Sequence, residues 1–146
     1  MNRSSFFWAA VAILLAVSLP ATIATAQSRV YQPVPLPIGK QITDKLSAKD
    51  IPTGQGGFAR DYIVSLKAGD QVVIELKSNS FDTIVTLLSV DGATVGENDD
   101  GPDGTTNSLL FARIVKSGNY IVRVHAFGGE PVSGPFTLKV TRLRPE

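Results

Sequence analysis

The 146-residue chain has no cysteine, one histidine, one tryptophan and one methionine. The first absence rules out disulfides and a lipid-modified cysteine, so packing, or packing with a metal ion, has to hold the domain together. With His125 as the sole imidazole and no thiol, the usual nitrogen and sulfur ligand set of zinc is missing. A serine triad would also have to use His125, and the nearby Ser133 sits in Glu-Pro-Val-Ser-Gly rather than in a G-x-S-x-G elbow. Strand alternation places His125 on an outward face beside Arg123, where a solvated histidine is the simpler reading. The only tryptophan, Trp8, lies in the N-terminal apolar run, which leaves no indole beyond it as a sugar platform. Glycoside hydrolysis is disfavoured further because the acids crowd one loop instead of flanking a cleft. Beyond residue 26 there is no sustained i, i+3, i+4, i+7 apolar stripe either, so helices are not expected.

What is present begins with an export signal. Arg3 is the only charge in residues 1–28, and Phe6 to Val17 (FFWAAVAILLAV) is unbroken and apolar. That run suits a signal core and falls short of the roughly 20 residues that span a bilayer. Pro20 then breaks the segment, and Ala24-Thr25-Ala26 offers small residues at alternate positions for a signal peptidase. Residues 1–26 therefore read as a cleaved signal peptide; an uncleaved anchor is opposed by both the short core and the cleavage site. Removing them takes away Arg3 and leaves 13 basic and 13 acidic residues. A neutral domain lacks the basic surface that nucleic acid requires and gives no support for electrostatic membrane binding. The expected address is periplasmic or extracellular, with no stable membrane insertion after cleavage.

Residues 27–40 carry Pro33, Pro35 and Pro37, and read as an extended, proline-rich leader or tether. From Gln41 the apolar residues alternate. Val72, Ile74 and Leu76 share one face of QVVIELK, Tyr120, Val122 and Val124 one face of NYIVRVH, and Phe136, Leu138 and Val140 one face of FTLKVT. Tyr62, Val64 and Leu66 mark a further strand. Thr83 to Ser89 is apolar on both faces, as a central strand would be. Leu110, Ala112 and Ile114 share a face of a weaker strand that Arg113 interrupts, and Ile42 to Leu46 adds an edge strand. Turn residues separate the runs at Lys67-Ala68-Gly69-Asp70, Asp91-Gly92 and Ser117-Gly118-Asn119. Seven or eight short strands over residues 41–143 make an all-β, antiparallel β-sandwich.

The one concentrated polar feature is Glu97-Asn98-Asp99-Asp100-Gly101-Pro102-Asp103-Gly104. Calcium takes its oxygens from carboxylates, amides and backbone carbonyls, and this loop offers all three. The spacing is not that of an EF-hand loop. Two readings stand: a calcium site using Asn98, Asp99, Asp100 and Asp103 with Asp82 as a further ligand or brace, or Asx side chains that cap the turn while the acids face water.

Five blocks together resemble a known family. They are Asp61-Tyr62-Ile63-Val64-Ser65-Leu66-Lys67-Ala68-Gly69-Asp70, Ser80-Phe81-Asp82-Thr83-Ile84-Val85-Thr86-Leu87, Glu97-Asn98-Asp99-Asp100-Gly101, Gly118-Asn119-Tyr120-Ile121-Val122-Arg123-Val124 and Gly134-Pro135-Phe136-Thr137-Leu138-Lys139-Val140. In this order and spacing the chain resembles the bacterial pre-peptidase C-terminal domain, from about Ile42 to Val140. The resemblance implies a jelly-roll-like sandwich related to the collagen-binding domains of secreted collagenases. It also implies a non-catalytic appendage that assists secretion, folding or targeting, here with no peptidase attached. Asp82 and Asn98-Asp99-Asp100 match the family's acidic loops, a resemblance that adds weight to a structural calcium and leaves turn capping open. The leader lacks the acids through which the N-terminal linker of collagen-binding relatives helps to hold that ion. The expected function is a non-enzymatic exported binding or accessory module whose partner is a protein or an envelope polymer. The alternative is a metal-dependent hydrolase using the acidic loop 97–103.

Overall fold

The computed structural model describes residues 31–129 and 131–143; the expected signal peptide, residues 1–26, lies outside them. Ten strands follow one another among the described residues: β1 (Val34–Pro35), β2 (Gln41–Leu46), β3 (Ile51–Pro52), β4 (Phe58–Leu66), β5 (Gln71–Lys77), β6 (Thr83–Ser89), β7 (Thr94–Asn98), β8 (Ser108–Arg113), β9 (Gly118–Ala126) and β10 (Gly134–Leu143). One sheet runs β1-β4-β9-β6-β7, with β3 also beside β4; the other runs β2-β10-β5-β8. Only β3–β4 and β6–β7 are joined as hairpins, and the other strand connections from β4 onward cross between the sheets. The β6–β7 turn uses Gly92 at φ 87°, a left-handed conformation open to glycine without strain. The all-β sandwich is the one the alternation predicts. The strands beyond those expected are the two-residue β1 and β3 and the edge strand β7.

The core lies where the two inward rows meet. Val72, Ile74 and Leu76 of β5 and Phe136, Leu138 and Val140 of β10 face Tyr62, Val64 and Leu66 of β4 and Tyr120, Val122 and Val124 of β9. Each such side chain contributes about 1.5–3 kcal/mol by leaving water. Phe136 meets Tyr62 and Phe81 edge to face, with ring centroids 6.3 and 6.4 Å away. Asn98 and Glu97, expected in a loop, instead end β7, paired with Val85 and Thr86 of β6.

The proline-rich segment is extended, but its described part is no free tether. Val34 and Pro35 pair in parallel with Tyr62 and Ile63, the Leu36 N–H donates to the Ile63 carbonyl at 2.9 Å, and the Leu36 side chain is buried in the core. Backbone N–H groups alternate sides along a strand, so Leu36 donates to β4 while Pro33, Pro35 and Pro37 face away from it. Prolines at alternate positions thus suit an edge strand paired on one side only, and they leave no donors for a further strand.

A polar tie closes the sandwich between β2 and β4. Arg60 donates from Nε to Asp44 at 2.8 Å and from a terminal nitrogen to Asp50 at 2.7 Å, and the Tyr62 hydroxyl donates to Asp44 at 2.7 Å. The other Asp50 oxygen accepts from the Ser47 N–H at 2.7 Å. Burial works against the charge on Asp44, but the bonds from Tyr62, the Lys45 N–H and Arg60 outweigh it and hold the carboxyl below its ordinary range.

Candidate functional site

Among the described residues, polar groups also gather at two places outside this tie. The first is the acidic end of the β6–β7 hairpin. Val85 lies opposite Asn98, so Asp82, just before β6, emerges at the same sheet end as Asp99 and Asp100, just after β7. The ends of the intervening loop are fixed from within. The Ser108 hydroxyl lies 2.7 Å from both the hydroxyl and the carbonyl of Thr83, and the Thr83 N–H and hydroxyl both reach the Thr106 carbonyl at 3.0 Å. Both hydroxyl-bearing residues are buried, which anchors one sheet to the other beside the acids.

At this end Asp82 Oδ1 and Asn98 Oδ1 are buried and have no hydrogen-bond partner. Leaving such an acceptor unmatched costs about 1–3 kcal/mol, so each of them calls for an explanation. Burial raises the Asp82 pKa, and the nearby charges of Asp100 and Asp99 raise it further. Asp103 behaves differently. Its Oδ1 accepts from the Thr105 hydroxyl at 2.8 Å and the Thr105 N–H at 3.2 Å, and these bonds hold its carboxyl below the ordinary range. The structure thus brings the charges of Asp99 and Asp100 near Asp82, leaves Asn98 at the end of β7, and commits Asp103 to its own turn. No three carboxylates or imidazoles converge tightly enough to hold a metal by themselves among the described residues.

The second place is a groove of about 490 Å³ on the outer face of the larger sheet. Ile84, Thr86 and Leu88 of β6 form its floor, flanked by Thr94 and Glu97 of β7 and by Arg123 and His125 of β9. Alternation explains the floor, since these are the outward partners of the inward Val85 and Leu87. The walls are two glycine-rich loops, Thr53–Gly56 and Phe127–Gly129. They touch so closely that a Cβ on Gly56 would sit 2.2 Å from the Gly129 carbonyl oxygen, and Gly56 has φ 98°. No other residue fits there without moving backbone.

His125 faces outward beside Arg123, as alternation requires, but it is half-buried in this groove rather than solvated. Burial lowers its pKa, outweighing the opposing pull of Glu97. Its Nε2 lies 3.4 Å from the Thr86 hydroxyl, which donates to Glu97 at 2.7 Å. That hydroxyl proton is directed at the carboxylate, so the imidazole is not set to take it as a triad base would. Arg123 grips Asp61 with two bonds of 2.8 Å, and the Asp61 side chain is 1% exposed. Sequence reasoning missed this groove; its signal was the pair of glycine clusters, Thr53-Gly54-Gln55-Gly56-Gly57 and Phe127-Gly128-Gly129, on either side of one sheet face.

The stretch from β4 through β9 contains both the acidic end and the groove floor. Residues 59–126 match the bacterial pre-peptidase C-terminal domain. The family resemblance of the sequence is thereby shown, over a shorter span than Ile42 to Val140. Among solved structures, the chain is similar to the pre-peptidase C-terminal domain of a collagenase from Bacillus anthracis, at 12% identity and TM-score 0.58, covering 77% of this chain and 97% of that one. It is also similar to a periplasmic inhibitor of g-type lysozyme from Aeromonas hydrophila, at 16% identity and TM-score 0.51, covering 73% of this chain and 94% of that one. At such identities the likeness concerns the fold. No curated protein matches the chain. Among the described residues no helix is long and apolar enough to cross a membrane.

Proposed function

We propose that the chain is a non-enzymatic, exported binding or accessory module that acts on a protein partner outside the cytoplasm. The observation that carries this reading is the pre-peptidase C-terminal match over residues 59–126, which takes in the acidic end and the floor of the groove. The two similar structures fit it: one is a domain of a collagenase and the other an inhibitor of lysozyme, and each is named for a protein it belongs to or acts on. The export expected from the sequence fits the second, a periplasmic protein. The Thr86 proton, aimed at Glu97 and not at His125, supports a binding surface over a hydrolytic one. Capture from periplasm and culture medium tests the proposal: repeated recovery of one protein is expected, and recovery of nothing above background would count against it. Turnover in a hydrolase screen that is abolished both by EDTA and by Asp100→Ala, with folding intact, would put the metal-dependent hydrolase in its place.

The acidic end is the proposed seat of a structural calcium. The fit rests on donor chemistry, with two unmatched buried oxygens on Asp82 and Asn98 and the carboxylates of Asp99 and Asp100 near them. Because the acids alone do not form a cluster, the amide oxygen and backbone carbonyls would have to complete the set. Bound there, the ion would supply the positive charge that Asp82 lacks and brace the hairpin end; it would carry no chemistry.

A further inference from the structure

The groove beside His125 has a charge pattern that identifies what it can hold. Arg123 and Asp61 neutralise each other through their paired bonds. Burial lowers the His125 pKa and so disfavours its charged form. Glu97 is exposed, is fixed by the Thr86 hydroxyl at 2.7 Å, and forms no ion pair among the described residues. Among the described residues the groove therefore presents one carboxylate without an ion-pair partner, held in place and bordered by the apolar side chains of Ile84 and Leu88. Phe127 stands at the rim with 54% of its surface exposed, an aromatic face available to a cation. A volume of about 490 Å³ lies within the range of specific ligand sites and exceeds what a metal ion needs.

We propose that this groove receives a lysine or arginine side chain of a protein partner, with its charged head on Glu97 and its aliphatic stem over Ile84 and Leu88. A long basic side chain is the ligand that combines an apolar stem with a cationic end, and this is the combination of the groove's floor and its edge. Thr53, Thr86 and Thr94 line the remainder. The close contact of Gly56 with Gly129 fixes the wall, so the groove exists before a ligand arrives. The proposal rests on the binding-module reading and names the chemistry by which that module would grip its partner.

The test is an NMR titration of the ¹⁵N-labelled protein with capped Gly-Arg-Gly and Gly-Lys-Gly peptides. The neutral citrulline peptide, free arginine and an N-acetylglucosamine trimer are run beside them. Expected are amide shifts at Thr86, Glu97, His125 and Gly128 with both basic peptides, and binding about tenfold weaker for citrulline and for Glu97→Gln. Glu75→Gln, on the other sheet, should bind like the wild type. Equal binding of arginine and citrulline peptides, or no loss in Glu97→Gln, would overturn the proposal. Shifts with the saccharide but not with the basic peptides would make this a glycan site. Free arginine binding as well as the peptides would make it a small-molecule site, and no shift at millimolar peptide would remove the site altogether. If capture still recovers a protein whose binding ignores Glu97→Gln, the module reading stands and this inference alone fails.

Discussion

Asp44 and Asp82 are both partly buried aspartates at the margin of the same sandwich, and their surroundings treat them in opposite ways. Asp44 accepts from Arg60, Tyr62 and the Lys45 N–H, and its neighbour Asp50 is matched on both oxygens. Asp82 has an oxygen with no partner and two like charges close by, and Asn98 at the same end of the sheet has an equally unmatched oxygen. The first cluster is complete and ties one sheet to the other. The second leaves acceptors unmatched, and the proposed calcium would complete it. On that proposal the contrast separates structural acids from acids that serve a ligand.

The largest effect should come from breaking the complete cluster. Arg60→Ala removes two charge-assisted bonds at once and leaves Asp50, whose side chain is 8% exposed, without its cation. A loss of about 2–4 kcal/mol in denaturant unfolding is expected, below the upper range for fully buried pairs because Arg60 is partly exposed. A loss under about 0.5 kcal/mol would mean that this tie is merely a surface contact.

Calcium should act only on the other cluster. A ligand that binds the native state alone stabilises it by about 2.7 kcal/mol at roughly 100 Kd, so melting in millimolar calcium should run above melting in EDTA. Asp82→Asn should erase most of that gain, and Arg60→Ala should keep it. An unchanged midpoint in the wild type would leave the acidic loop as a set of capped turns.

Acid separates the clusters by sign. The Asp44 pKa is lowered in the fold, so its stabilisation is present above the ordinary value of 3.8 and is lost as pH falls through the lower native value. Asp44→Asn should therefore be weaker than the wild type at neutral pH and indistinguishable from it at strongly acid pH. The Asp82 pKa is raised, so its ionised form opposes folding above 3.8, and protonation relieves that penalty as pH drops through the raised native value. In EDTA, Asp82→Asn should be as stable as the wild type or more so at neutral pH, with the gap closing on acidification. Urea midpoints across pH for the two variants check both signs, and a gap of the same sign in both would erase the distinction.

The sandwich was legible because period-two alternation reports burial directly: the inward triplets of β4, β5, β9 and β10 are the triplets of the core. Other features depended on neighbours that a sequence does not display. Pro33, Pro35 and Pro37 look like a tether until β4 supplies acceptors on one side only. Thr94–Asn98 is too short and polar to declare itself a strand without β6 beside it. His125 reads as solvated until loops from two distant segments rise around it. The acidic loop was visible as composition, but which acids point together was decided by strand register and by Thr105.

That last division gives the smallest predicted effect and the finest test of the contrast. Asp103 sits among the acids in sequence, yet its oxygen is occupied by the Thr105 N–H and hydroxyl. Those bonds explain its lowered pKa without any ion. Asp103→Ala should give the smallest drop in midpoint of the series, because an exposed Asx turn is lost and no core contact changes. More telling, the variant should keep the full calcium response that Asp82→Asn and Asn98→Ala lose. Were Asp103→Ala to abolish that response, the ion would have to draw Asp103 away from Thr105. The turn would then be a resting arrangement of a calcium ligand, and the line between capping acids and ligand acids would have to be redrawn through this residue.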